Sequence, residues 1–436
     1  MTEEEREQLL TEFTNALRIG HPLDLSDPED AQLYTEGLHG SRDAVKRLAT
    51  EVRRIEGGGV FLFSGQPGSG KSTELMRLKS ILAAPMVKVY YCDLEDWLNL
   101  NEPVTLGSFL VALLASWVDQ AGTVAGQQSL AERFIGFLRN TQLVPESLEF
   151  GVEAGGLKAG LSLALRTDPQ FRQQIEAAIK GRRTSILQQA QSFVAELVGD
   201  LCPQGEKCVL IADSLEKIRG YGELQGEVYT SLQGLFLSDG AALKLPGVHV
   251  VYSVSPFLIE QNNQLPALLG TGAVATMPSV HVFKRRSADE DEEGVGAMVE
   301  LVRKRFGRCL EVFREPQLRR LALGSGGDLR DFLRSIRIVI TDEIESFPVT
   351  DEMLDYALAQ VCPPKQIPNE HIQWLARLDA SHESELSGDI GAAVLQQYLA
   401  SKHVLVYLNG EAWFSVHPLL RDWVRQRSAS TPPPAP

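Results

Sequence analysis

Apolar residues along the chain fall into two spacings, and the switches between them outline its elements. Gly59-Val60-Phe61-Leu62-Phe63 is an uninterrupted apolar and aromatic run and predicts a buried strand. Similar runs at 86–92, 208–212 and 248–254 predict three more, the last a parallel strand stopped by Pro256. Helical spacing takes over at 44–52 (Ala44, Val45, Leu48, Val52), where Ser41 is placed to cap, at 74–82, and across most of 106–199. Within that long stretch, Gly151, Gly155, Gly156 and Gly160 interrupt the pattern at 148–165 and predict a hairpin or flexible flap. A short amphipathic helix and a turn-rich segment at 20–30 open the chain as a lead-in arm, residues 1–35. Beyond 285, Val295, Met298, Val299 and Val302 mark a helix after the acidic run 289–293, which reads as a solvated loop. Pro363, Pro364 and Pro368 then mark a linker. It leads to a helix at 390–399, a hairpin at 404–416 turning on Asn409-Gly410, and a helix from Pro418 through Trp423. Residues 428–436 read as a proline-rich disordered tail.

The junction between the first strand and the helix at 74–82 carries the sharpest chemistry. Gly65-Gln66-Pro67-Gly68-Ser69-Gly70-Lys71-Ser72-Thr73 fits the G-x-x-x-x-G-K-[ST] phosphate-binding pattern at every specified position. Phosphate oxygens need several backbone N–H groups converging on them, which demands a loop too tight for Cβ atoms, hence Gly65, Gly68 and Gly70. The helix that follows offers its unpaired amides and positive dipole end to the same anion. Lys71 is placed to reach the β- and γ-phosphates of ATP, and the Ser72 hydroxyl to ligate Mg²⁺.

Further along, Cys208-Val209-Leu210-Ile211-Ala212-Asp213 resembles a Walker B strand, whose terminal Asp holds the hydration shell of the Mg²⁺. AAA+ ATPases carry Glu next; here Ser214 stands there, and Glu216 follows. Asp213-Ser214-Leu215-Glu216 is similar to the hhhhD-x-x-[DE] pattern of STAND signalling ATPases, in which the later acid polarises the attacking water. Ser253 or Ser255 takes the place of the γ-phosphate sensor in such proteins. Gly326-Gly327-Asp328-Leu329-Arg330 resembles the G-G-x-x-R element of the AAA+ lid, whose arginine contacts the γ-phosphate. Asp93 and Glu95 are either solvated loop charge or neighbours of the nucleotide. Arg303, Lys304, Arg305 and Arg308 either complement a helix C-terminus or supply an arginine finger to a neighbouring subunit.

From about residue 35 to 425 the chain therefore resembles P-loop ATPases of the AAA+/STAND superfamily, with an origin-recognition-like core, and a bacterial group of them partly associated with phage defence. The resemblance implies an α/β fold: a P-loop NTPase parallel-sheet core over 36–285 with a helical insertion at about 105–200, a helical lid over 286–362 and a winged-helix domain over 363–427. It implies ATP and Mg²⁺ as cofactors, residues 65–73 as the binding loop, Ser72 and Asp213 as metal donors, and Lys71, Asp213, Glu216 and Arg330 as catalytic residues. The nucleotide would sit between core and lid.

Composition narrows the partners. Lys and Arg number 42 against 57 Asp and Glu, a net charge of −15, which disfavours a general polyanion binder. The expected wing, 408–413, carries no Lys or Arg, and phosphate contacts need cations. Five cysteines without C-x-x-C pairing read as reduced thiols of a cytoplasmic protein, and no apolar run reaches the length of a membrane span. The leading expectation is a nucleotide switch coupled to a protein effector or partner, or to ATP-dependent homo-oligomerisation. The alternatives are a DNA-dependent AAA+ ATPase of initiator or loader type, and a nucleotide-binding scaffold with little turnover.

Overall fold

The computed structural model describes residues 2–40, 43–125, 128–144, 158–220, 224–262, 264–272, 274–342, 344, 346–384, 391–409 and 411–430. The apolar runs form strands β1 (Gly59–Gly65), β2 (Val87–Asp93), β3 (Lys207–Asp213) and β4 (Val248–Val254), and a short β5 (Ala275–Met277) adds an edge. They make one five-stranded sheet in the order β2-β3-β4-β1-β5. β2 with β3, β3 with β4 and β4 with β1 all pair in parallel. Every residue of β4 is buried, as a strand covered by helices on both faces requires. The register sets Asp93 beside Asp213 and Ala212 beside Tyr252, so the polar ends of β2 and β3 finish flush. That is the sheet edge at which doubly wound folds gather their functional groups.

The chain forms two compact units. One comprises Ala44–Ser64 and Glu74–Thr276, the other Met1–Asp43, Gly65–Thr73 and Met277–Pro436. In the first, the helix Leu106–Ala125 packs on β2 and the insertion helices Gln128–Asn140 and Pro169–Leu201 pack on it in turn. Gly107 lets two of them approach, since a Cβ there would stand 2.6 Å from Ile175 Cγ2. Phe109, Trp117 and Phe134 are fully buried in the resulting core, each contributing about 1.5–3 kcal/mol. The flap expected at 148–165 is helical where it is described: a π turn, Lys158–Ser162, runs into the helix Leu163–Thr167. Burial of Leu161 and Leu165 in the same core, and a bond from Ser162 Oγ to the Asp96 carbonyl at 2.7 Å, override the glycine signal. The rest of the expected flap, like the expected cap Ser41, lies outside the described residues.

In the second unit the opening helix, Glu3–Ala16, is part of the core: Phe13 stacks on Phe306 at 4.5 Å and meets Phe313 edge-on at 6.1 Å. Asp291 caps the helix Glu292–Arg305 by accepting from the Glu293 and Gly294 amides, and Glu290 and Glu292 pair with Arg319. The acidic run expected as a solvated loop is thus half loop and half helix start, because carboxylates stabilise a helix N-terminus. C-terminal to the helices Glu315–Gly324, Leu329–Ile340 and Asp351–Val361 come Asn369–Ser381, Ala392–Ala400, the hairpin β6 (Val404–Asn409) and β7 (Glu411–Val416), and Pro418–Ser430. Tyr407 lies opposite Trp413 in the hairpin register, with rings stacked at 4.5 Å; Gly410 of the expected turn is outside the described residues. The last helix takes residues 428–430 from the expected tail, because Ser428 and Gln373 exchange two hydrogen bonds at 2.9 and 3.0 Å. All five cysteines are free thiols. Among the described residues no helix is long and apolar enough to cross a membrane.

Candidate phosphate loop and carboxylate pair

β1 ends at Gly65 and the helix Lys71–Leu82 begins at Lys71, so the connecting loop is only Gln66 to Gly70. Gly68 (φ 84°) and Gly70 (φ 94°) are left-handed, the conformation that costs a side-chain-bearing residue about 1–2 kcal/mol. The loop closes on the Gln66 carbonyl, which accepts from Ser69 Oγ at 2.7 Å and from Lys71 Nζ at 2.8 Å. Lys71 is only 4 % exposed, so its charge is held within the loop. Thr73 faces the other way, its hydroxyl accepting from the Leu23 amide at 3.2 Å. The Arg330 amide donates to the Gly68 carbonyl at 3.3 Å, which ties the start of the helix Leu329–Ile340 to the loop while the Arg330 side chain is exposed.

In the other unit, Asp213 closes β3 with no exposure. Its Oδ2 accepts from Tyr91 Oη at 2.5 Å and its Oδ1 from the Ser214 amide at 2.7 Å. Burial and the Asp213 charge push the Tyr91 pKa well up, so the phenol keeps its proton and remains a donor. Ser214 is left-handed (φ 74°) and buried, and it turns the chain into the short helix Leu215–Lys217. That turn carries Glu216 back towards β4, where it accepts from Ser253 Oγ at 2.7 Å; Ser253 in turn accepts from the Leu215 amide at 3.3 Å. Glu216, 8 % exposed, is therefore a fixed carboxylate rather than a surface charge.

Of the two candidate sensors, Ser253 joins this cluster, whereas Ser255 caps the helix Pro256–Gln261. Asp93 caps the turn Leu94–Asp96, and Glu95 pairs with Lys217. The basic helix end is engaged within the chain: Arg303 with Glu315, Lys304 and Arg305 with the Tyr34 and Leu17 carbonyls, Arg308 with Glu311. Those contacts match a helix C-terminus holding local partners. Sequence spacing brought out Asp213 and Glu216 but not their neighbour Tyr91. A signal for Tyr91 was present: two residues before the end of a strand paired with β3, it shares a sheet face with the strand's last residue.

Among the described residues no group of three or more His, Cys, Asp or Glu side chains could hold a metal ion. A single buried carboxylate such as Asp213 is nevertheless the kind of donor Mg²⁺ takes, since that ion keeps several waters and needs only one or two protein oxygens beside phosphate.

No protein-family model matches the chain, and no curated protein sequence is significantly similar to it. Among solved structures it is similar to the ORC2 protein of Aeropyrum pernix, solved as ADPNP–ADP complexes (12 % identity, 95 % of this chain and 98 % of that one, TM-score 0.44). It is also similar to a Walker-type ATPase of Pyrococcus abyssi (13 %, 94 % and 99 %, 0.44) and to Cdc6p of Pyrobaculum aerophilum (10 %, 92 % and 98 %, 0.38).

Proposed function

We propose that the protein is an ATP-binding switch with slow turnover, which transmits its nucleotide state through its C-terminal helices to a partner or to further copies of itself. The observation that carries the reading is the strand, loop and helix built on left-handed Gly68 and Gly70 with buried Lys71 at the helix start. Such a loop turns backbone amides inward and adds a helix N-terminus and one ammonium, the donor set that a polyphosphate takes. Mg²⁺ would neutralise phosphate charge, and Ser72 and Asp213 are the oxygen donors we assign to it. Tyr91 and the Ser214 amide orient the Asp213 carboxylate, and Ser253 orients that of Glu216. An oriented carboxylate can accept a proton from a water at hydrogen-bond distance, which is the role assigned to Glu216. Ser214, in a buried left-handed turn, offers no carboxylate of its own, so the water-polarising role is assigned to Glu216, three residues after Asp213. Arg330, exposed beside its own backbone bond to Gly68, is the residue assigned to report phosphate occupancy to the lid helices.

The DNA-dependent alternative draws less support from the C-terminal helix. Arg421 and Arg425 both pair with Asp379, at 3.4 and 3.1 Å, so their charge is already partly matched. Two measurements on purified protein test the reading. Lys71→Ala should abolish ATP binding in a direct binding assay, and retained affinity would remove the site assignment. Light scattering with and without ATP and Mg²⁺, with phosphate release followed in parallel, should show ATP-dependent assembly and turnover below about 1 s⁻¹, the low end for typical enzymes. Rapid turnover with no change of assembly would overturn the switch.

A further inference from the structure

The turn Gly326-Gly327-Asp328 is packed more closely than a turn alone requires. A Cβ at 326 would stand 2.3 Å from Leu405 Cδ1, and one at 327 would stand 1.9 Å from the Val280 carbonyl oxygen. Tyr407 Oη of the hairpin donates to the Gly326 carbonyl at 2.7 Å. Asp328, 4 % exposed, then caps the helix Leu329–Ile340, its Oδ1 accepting from the Asp331 amide at 2.9 Å. Its Oδ2 lies 2.7 Å from Lys402 Nζ, and the same ammonium lies 2.7 Å from Asp331 Oδ2. Lys402 comes from the turn just before β6. The Asp328 carboxylate also faces the phosphate loop: a Cβ at Gly68 would stand 2.2 and 2.4 Å from its two oxygens, an approach that only glycine admits.

This is an unusual place for a carboxylate. A negative charge beside an anion-binding loop opposes the anion, and two buried carboxylates oppose each other. Burial and the Asp328 charge raise the Asp331 pKa, and Lys402 counters them. The cation that bonds both carboxylates thus comes from the turn before the C-terminal hairpin rather than from the loop itself, with Arg334 acting on Asp331 in the same direction.

We propose that Lys402 is a positioning residue for nucleotide binding: its ammonium, shared between Asp328 and Asp331, offsets the negative charge there, so that Asp328 rests on Gly68 with less repulsion of phosphate. The affinity of the loop then depends on where the hairpin holds one lysine, which gives the C-terminal segment a direct hand on the nucleotide site. The proposal rests on the reading that the loop binds nucleotide.

The test is a titration of full-length protein with a fluorescent methylanthraniloyl-ATP and Mg²⁺, with thermal melting of each variant alongside. Lys402→Met should weaken binding at least about fivefold, as one uncompensated charge near a phosphate would. Asp328→Asn keeps the helix cap and removes the charge, so it should tighten binding about twofold or more. Lys402→Arg should stay within about twofold of the wild type, since charge is retained. The opposite signs of the first two variants separate electrostatic positioning from a merely structural role. A lowered melting temperature with affinity unmoved in both would overturn the proposal. Should Lys402→Met not fold, Asp328→Asn decides: unchanged or weaker binding overturns it. A wild-type protein that binds no nucleotide overturns the underlying reading instead, and shows this before any variant is compared.

Discussion

Glu216 and Asp213 are three positions apart, and different neighbours hold each carboxylate. Asp213 accepts from a phenol and an amide, and Glu216 accepts from the Ser253 hydroxyl, one of the several bonds that the two oxygens of a carboxylate can take. Glu216→Gln should therefore leave ATP affinity within about twofold and lower phosphate release at least about tenfold, the range for a general base; an unchanged rate would assign the role to another acid. His417 makes a separate prediction. It is fully buried, accepts from the Leu419 amide at 3.3 Å, and its pKa is pushed down to about 3 by burial and by nearby Lys402, His403 and Arg421. An unfolded histidine protonates near pH 6.5 and the folded one resists until about pH 3. Between those values the unfolded state binds more protons, so stability falls as pH falls, by about 1.4 kcal/mol per unit from this residue. The lowered His403 pKa acts in the same direction. Denaturant titrations at pH 7.5, 6.5 and 5.5 should show the slope, and His417→Gln should flatten it; an equal slope in the variant would exclude His417 as its source.

At the scale of elements, the glycine turn before Leu329–Ile340 separates two kinds of close approach. At Gly327 the obstacle to a side chain is backbone, the Val280 carbonyl, and φ is 85°. At Gly326 it is the methyl end of Leu405, which can shift, although φ is 63°. Gly327→Ala should cost about 3–5 kcal/mol, strain plus overpacking, and Gly326→Ala about 1–3 kcal/mol. Denaturant midpoints at constant slope measure both, and a reversed order would show that the Val280 segment yields more readily than Leu405. The same scale explains what the sequence hid. Asn369–Ser381 follows directly on Pro363, Pro364 and Pro368, and those prolines read as linker although Ile372, Leu375 and Leu378 are buried. In the insertion, the glycines of 148–165 suggested a flap, yet burial of Leu161 and Leu165 carried the described part into helix. Where the pattern was long and regular, as in β1, β3, β4 and Leu106–Ala125, element and type were legible.

For the whole molecule, the glycine loop Gly65–Thr73 groups with Met1–Asp43 and Met277–Pro436 rather than with the strand that precedes it. Nucleotide binding should accordingly stabilise that unit first. At a free ATP concentration of about 100 times Kd, linkage supplies about 2.7 kcal/mol. Hydrogen exchange with ATP and Mg²⁺ should slow most at 65–73 and 326–340 and least in the insertion helix Pro169–Leu201, and Lys71→Ala should remove the difference. Uniform slowing over the whole chain would contradict a switch that acts through the C-terminal unit.

The sequence by itself determined the glycine loop between β1 and the helix Lys71–Leu82, the four main strands and the Asp213 to Glu216 spacing. These rest on local chemistry: which residues tolerate left-handed backbone, which runs are apolar throughout, and which acids end a strand. Tertiary structure alone decided what orients those groups. Tyr91 and Asp213 are 122 positions apart, Ser253 and Glu216 are 37 apart, and Lys402 and Asp331 are 71 apart. Such pairs follow from strand register and from helices docked at close range, and no periodicity along a chain encodes which distant residue a buried carboxylate will meet.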